Sequence, residues 1–147
     1  SLLPRYSGGA PLVWAIINGE KKTGITLFKM DDGVDSGPIV GQLEESIFED
    51  DTIKSLYYRI EKLGIKLLRK YIPIIANGTV KLKKQDESKR TTFPQRSPED
   101  GEIDWNWDLK RIKNFIRAQT KPYPGAYTII NNKKVVFWDV DILTNEK

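Results

Sequence analysis

The chain has 147 residues, with 24 basic against 20 acidic side chains and a net charge of +4 at neutral pH. Hydrophobic residues make up 39% and charged residues 30%, with four Trp, six Tyr and five Phe, enough apolar material for one folded domain rather than a disordered tract. Cysteine and histidine are both absent, which excludes disulfides, thiolate nucleophiles and cysteine zinc sites and leaves acid–base chemistry to Asp, Glu, Lys or Tyr.

Ser1 to Gly9 reads as a loop, because Pro4 and the Gly8-Gly9 pair oppose regular structure. Pro11 then opens a short helix through Leu12, Val13, Ala15, Ile16 and Ile17, apolar on most faces, and Asn18-Gly19 supplies a left-handed stop. Thr23 to Met30 predicts a strand, Asp31 to Gly37 a loop, and Ile39 to Ile47 a second strand. The clearest element is a helix from Thr52 to Ala76. Ile53, Leu56, Tyr57, Ile60, Leu63, Leu67, Leu68, Tyr71 and Ile75 repeat along one face, Asp50 and Asp51 stand as its caps, Pro73 is placed to kink it, and Asn77-Gly78 ends it.

A short strand around Val80 to Lys83 precedes a polar crossing segment, Gln85 to Gly101. Asp108 to Gln119 predicts a second amphipathic helix, with Leu109, Ile112, Phe115 and Ile116 inward and Lys110, Arg111, Lys113 and Arg117 outward. The end predicts a hairpin, Tyr127 to Ile130 and Lys133 to Ile142 joined by Asn131-Asn132. No apolar run approaches the roughly 20 residues that span a bilayer, and SLLPRYSGG lacks the apolar centre of a secretory signal, so a soluble, cytoplasmic chain is expected.

Three features carry candidate chemistry, each with a bland reading beside it. The Asp31–Gly37 loop gathers Asp31, Asp32 and Asp35 at a strand end and fails the EF-hand spacing, so either a solvated turn or a functional carboxylate accounts for it. Arg5-Tyr6-Ser7-Gly8-Gly9 before a helix suits an anion at exposed N–H groups, but lacks a Walker lysine. The outer face of the second helix, with Lys89, Arg90 and Arg96, is either a solvated surface or a phosphate-contacting one; the nearby Trp105, Trp107, Tyr123 and Tyr127 are either core or a stacking platform.

The runs Ser1-Leu2-Leu3-Pro4-Arg5-Tyr6-Ser7-Gly8-Gly9, Asp32-Gly33-Val34-Asp35-Ser36-Gly37, Ile116-Arg117-Ala118 and Pro122-Tyr123-Pro124-Gly125-Ala126 resemble, in order and separation, the folate-dependent formyltransferase family. The resemblance implies an α/β fold. Residues 1–84 would form the C-terminal half of a Rossmann-like formyltransferase domain, and residues 85–147 a C-terminal extension with a small helix and β-hairpin subdomain. It implies formyl transfer from 10-formyltetrahydrofolate to a primary amine, without a metal. Asp35 matches the family's catalytic Asp, the backbone near Met30, Asp32 and Val34 matches the pterin pocket, and Leu3-Pro4 matches a peptide that is cis in relatives.

The family's Asn-x-His pair precedes SLLP and is not among these residues, so the resemblance points to part of a longer enzyme. The segments Arg96 to Trp105 and Phe115 to Ala126 are most similar to enzymes acting on nucleotide-linked amino sugars. That implies such an acceptor, with Tyr6 and Gly8 at the site and Arg96, Lys121 and Tyr123 holding diphosphate and base. Methionyl-tRNA formylation, with tRNA as partner, is the alternative within the family, and a non-catalytic module for RNA or another polyanion is the alternative of another class. A homodimer is among the assemblies the resemblance allows.

Overall fold

The computed structural model describes residues 1–143; the last four residues of the expected C-terminal extension lie outside it. The loop at Ser1–Gly9 contains a two-residue strand, β1 (Ser7–Gly8), before helix α1 (Pro11–Ile17). Leu12, Val13, Ala15, Ile16 and Ile17 are all buried, which is why so short a helix is apolar almost all round. Gly19 at φ 68° ends it as the sequence predicts.

Strands β2 (Lys22–Phe28) and β3 (Ile39–Ser46) pair antiparallel, with the register slipping between Leu27 and Phe28 where the chain leaves for the Asp31–Gly37 loop. β2 therefore stops at Phe28 rather than Met30. Helix α2 (Ile53–Ala76) packs against both strands. Its cap differs from expectation. The Thr52 side chain accepts from Ser55 N while the Ser55 hydroxyl accepts from Thr52 N, a reciprocal box that leaves Asp51 free for another task.

The apolar stripe of α2 is also only partly inward: Ile53, Leu56, Ile60 and Leu67 are buried, whereas Leu68 and Ile75 are each 44% exposed. A helix of 24 residues is about 36 Å long, and strands of 7 and 8 residues cover only about 24–27 Å beneath it. The C-terminal turns thus extend past the sheet.

The expected strand at Val80–Lys83 reduces to a single antiparallel bridge between Lys83 and Ile39. The polar segment that follows is more ordered than a plain loop. It carries helical turns at Glu87–Lys89 and Pro98–Gly101 and, between them, β4 (Thr92–Phe93), which pairs parallel with β1. Helix α3 (Leu109–Gln119) is capped by the Asp108 side chain, which accepts from Arg111 N at 2.8 Å. Ile112, Phe115 and Ile116 are buried as expected, but Leu109 is 63% exposed. Arg117, expected outward, is half-buried and donates to the Phe48 and Asp51 carbonyls.

The hairpin β5 (Ala126–Ile130) and β6 (Lys133–Phe137) closes through Asn131 and Asn132, both with positive φ, and ends at Phe137 rather than Ile142. Among the described residues the result is an α/β architecture of three α-helices and three two-stranded sheets. One apolar cluster joins Leu12, Ile16, Ile53, Leu56, Phe115, Ile116 and Ala126, so α1 and α3 pack through the centre. Among the described residues no helix is long and apolar enough to cross a membrane.

Candidate functional site

The Asp31–Gly37 loop is built by its own side chains. Asp31 Oδ1 accepts from Gly33 N at 3.2 Å and from Ser36 Oγ at 2.6 Å, closing the turn locally. Asp35 stands at φ 53°, a left-handed conformation uncommon outside glycine. Its carboxylate Oδ2 accepts the backbone N–H of Gly8 at 2.8 Å. Gly8 itself is at φ 87°, and a Cβ there would press on the Phe93 carbonyl, so this contact needs glycine. Two residues chosen from sequence thus meet across 27 positions.

Behind Asp35 lies a residue that the sequence did not single out. Gln85 is 5% exposed, and its Nε2 donates to the Asp35 carbonyl at 2.8 Å and to the Gly37 carbonyl at 2.7 Å. Arg90 Nη2 reaches Gln85 Oε1 at 3.3 Å and the Asp35 carbonyl at 3.5 Å. A lone glutamine in a polar stretch carries no periodic signal, so only tertiary structure could pick it out.

Tyr6, also at positive φ, lays its ring on Phe93 with centroids 4.7 Å apart and an interplanar angle of 12°. Its hydroxyl donates to Glu20 Oε1 at 2.8 Å and accepts from Asn18 Nδ2 at 3.2 Å, while Arg5 pairs with the same Glu20. Partial burial raises the phenol above its ordinary range, and the Glu20 carboxylate adds to the rise despite the opposing bond from Asn18. Tyr6 is therefore a neutral donor, not a phenolate.

Arg96 and Tyr123 converge on a cavity of about 250 Å³ beside the N-terminal end of α1, walled by Ala10, Val13, Pro124 and Gln119. Arg96 Nη2 donates to Gln119 Oε1 at 2.8 Å and to the Asp100 carbonyl, and the guanidinium lies over Trp14 at 4.7 Å and Phe115 at 5.4 Å. Burial lowers its affinity for the proton, with Asp100 acting against this, yet an arginine stays charged. It is a fixed cation in an apolar wall.

Lys121 does not line this cavity. It lies on a separate open groove with Tyr57, Tyr58 and Lys54, its Nζ 5.2 Å from the Trp138 ring. Tyr123 borders both spaces, and its hydroxyl is 2.7 Å from that of Tyr57, whose proton is held more tightly because of burial and then of that neighbour.

Met30 and Val34 are 83% and 74% exposed, and with Asp32 they line no described cavity. Among the described residues, no hydrogen bond uses the backbone N–H or carbonyl of Met30, Asp32 or Val34. The Leu3-Pro4 peptide is cis, as is Lys121-Pro122.

Fold and site define an α/β domain that presents a backbone-anchored carboxylate and, at the start of α1, a cavity with a guanidinium in its wall. The formyl transferase family model matches residues 1–72, and that of the formyl transferase C-terminal domain matches residues 96–147. The chain belongs to the formyltransferase family.

Among solved structures, it is similar to a methionyl-tRNA formyltransferase from Clostridium thermocellum at 29% identity and TM-score 0.76, covering 100% of this chain and 62% of that one. An N-formyltransferase from Helicobacter canadensis, in complex with folinic acid and dTDP-3-aminofucose, matches at 31% identity and TM-score 0.78, covering 90% of this chain and 49% of that one. A Mycobacterium tuberculosis protein described as uncharacterized and a likely sugar N-formyltransferase matches at 27% identity and TM-score 0.82, covering 99% of this chain and 63% of that one. The chain thus spans between about half and two thirds of the length of these relatives.

Proposed function

We propose that the protein transfers a formyl group from 10-formyltetrahydrofolate to the amine of a nucleotide-linked amino sugar. The observation that carries this reading is the Arg96 cavity. Its volume of about 250 Å³ suits a small acceptor's base and sugar, its walls are apolar, and its cation is held by Gln119 and two aromatic faces. Arg96 and Tyr123 would hold the acceptor's diphosphate and base. Lys121, on the neighbouring groove, would meet charge at the edge, and Tyr6 and Gly8 would border the reacting end.

In the transfer, the acceptor nitrogen bonds to the formyl carbon, the donor's carbon–nitrogen bond breaks, and the proton shed by the amine returns to the leaving nitrogen. Asp35 is the group assigned to that proton, directly or through one water. Among the described residues its carboxylate accepts one hydrogen bond, which leaves lone pairs open for the task. Met30, Asp32 and Val34 would hold the donor's pterin through their free backbone edge.

The test is to offer 10-formyltetrahydrofolate with dTDP- and UDP-linked amino sugars, and separately with methionyl initiator tRNA, and to measure the formylated product by mass spectrometry. Product from the sugars alone supports the reading; product from tRNA alone overturns it in favour of methionyl-tRNA formylation. That second reading is favoured by one observation, the exposed Lys110 and Arg111 at the start of α3 without a carboxylate partner among the described residues. With the sugar acceptor, Arg96→Ala is expected to raise KM about 10-fold, the equivalent of about 1.4 kcal/mol of lost binding.

A further inference from the structure

We infer that Gln85 is a positioning residue for the Asp35 carboxylate, with Arg90 bracing it from behind. The inference rests on the reading of Asp35 as the proton-handling group. Gln85 is 5% exposed, yet every residue from Lys81 to Lys84 and from Asp86 to Lys89 is exposed. Burying one long polar side chain from an otherwise solvated stretch costs rotamer freedom and hydration, so its amide must be used where it lies.

It is fully used. Both Nε2 protons are taken, by the Asp35 and Gly37 carbonyls, and Oε1 receives Arg90. Two carbonyl acceptors can be met only by the amide's nitrogen end, so the orientation is unambiguous. Glutamate there would set an oxygen against two carbonyls, and an apolar residue would leave both unpaired.

The two carbonyls bracket the turn in which Asp35 holds its left-handed φ of 53°. Gripping both fixes the direction in which the Asp35 side chain leaves the backbone. The other end of that side chain is held by Gly8, on β1, and β1 pairs with β4 a few residues after Arg90. One stretch, residues 85–93, therefore fixes the carboxylate loop and the Gly8 loop relative to each other. A reacting group needs this kind of support, because small misplacements lose much of the rate.

The Gly8 amide is the reporter, since it donates to Asp35 Oδ2. In the isotope-labelled protein, Gln85→Ala and the volume-filling Gln85→Met should speed hydrogen exchange at the Gly8 amide and shift its resonance, with amides in α3 unmoved. In the transfer assay, Gln85→Met should lower kcat about 100-fold with acceptor KM within about 2-fold, the scale expected for a misplaced reacting group. Combined with Asp35→Ala it should cost nothing further.

An unchanged Gly8 amide overturns the inference, as does an undiminished Gln85→Met penalty in the Asp35→Ala background. If Asp35→Ala leaves kcat intact, the reading of Asp35 fails, while the Gly8 amide still decides whether Gln85 holds the loop. Should both Gln85 variants fail to fold, Arg90→Ala carries the same two readouts, with a smaller shift and a smaller loss expected and no change at either overturning the inference.

Discussion

Asp51 and Asp35 are two aspartates with opposite surroundings. Asp51, 4% exposed, receives Phe48 N, Ser55 Oγ and both terminal nitrogens of Arg59, all within 2.8 Å. Burial alone would raise its pKa, but these bonds, Arg59 foremost, outweigh it and take the carboxyl down to about 2. Arg59 also reaches Glu45 and the Ser46 carbonyl, so α2 is tied to β3 and to the turn before the helix. Asp35 receives one backbone N–H on its carboxylate, and the protein's other efforts go to its backbone. A saturated carboxylate has no lone pair left for a substrate; a carboxylate fixed through its own main chain keeps them.

Removing each partner should separate the two roles. Asp51→Ala leaves Arg59 partly buried without its main partner and should destabilise the fold by about 3–5 kcal/mol, read from chemical denaturation. Formylation below the new melting temperature should survive.

Asp35→Ala should do the reverse, lowering kcat about 100- to 1,000-fold, a scale typical of losing a positioned electrostatic group, while moving the melting temperature little. A large stability loss in that variant would erase the distinction.

Acid sharpens it further. The Asp51 carboxyl is held at about 2 in the fold against an ordinary 3.8, so its stabilisation is whole above about pH 4 and is lost as pH falls through about 2. The loss amounts to about 2 kcal/mol, and it should vanish in Asp51→Asn, which can be checked by denaturant titrations across that window.

The smallest effect lies on α3. Leu109→Ala, at a 63% exposed position, should cost less than about 0.5 kcal/mol, against about 2–5 kcal/mol for Ile116→Ala at 1% exposed.

That last contrast also marks the limit of a helical period. Leu109 and Ile116 share a helical period, but Leu109 falls in the first turn of α3 and stays exposed, and a period cannot say which of its positions a neighbouring element covers. Arg117 has the letter of a surface residue, yet its long stem lets it run inward to two carbonyls, which a polarity pattern does not encode. The Gly8 and Asp35 motifs were legible as separate loops; their meeting depends on β1 pairing with β4, two residues on each strand and too short for any alternating pattern. Arg96 was legible as a charge and, through the resemblance, as an acceptor contact, but not its place in a cavity wall, and Lys121, read beside it, faces another groove.

The amino-acid sequence by itself determined the three helices, the main strands, the closing hairpin with its turn, the family and the residue types available for chemistry, because those follow from local periodicity, backbone-permissive residues and motifs contiguous in the chain. Tertiary structure alone decided which carboxylate is saturated and which is open, that Gln85 leaves a solvated stretch to grip the Asp35 loop, and that the Arg96 guanidinium lies in a cavity wall. These are contacts between distant segments, and their energies depend on burial and hydrogen-bond geometry that only packing creates.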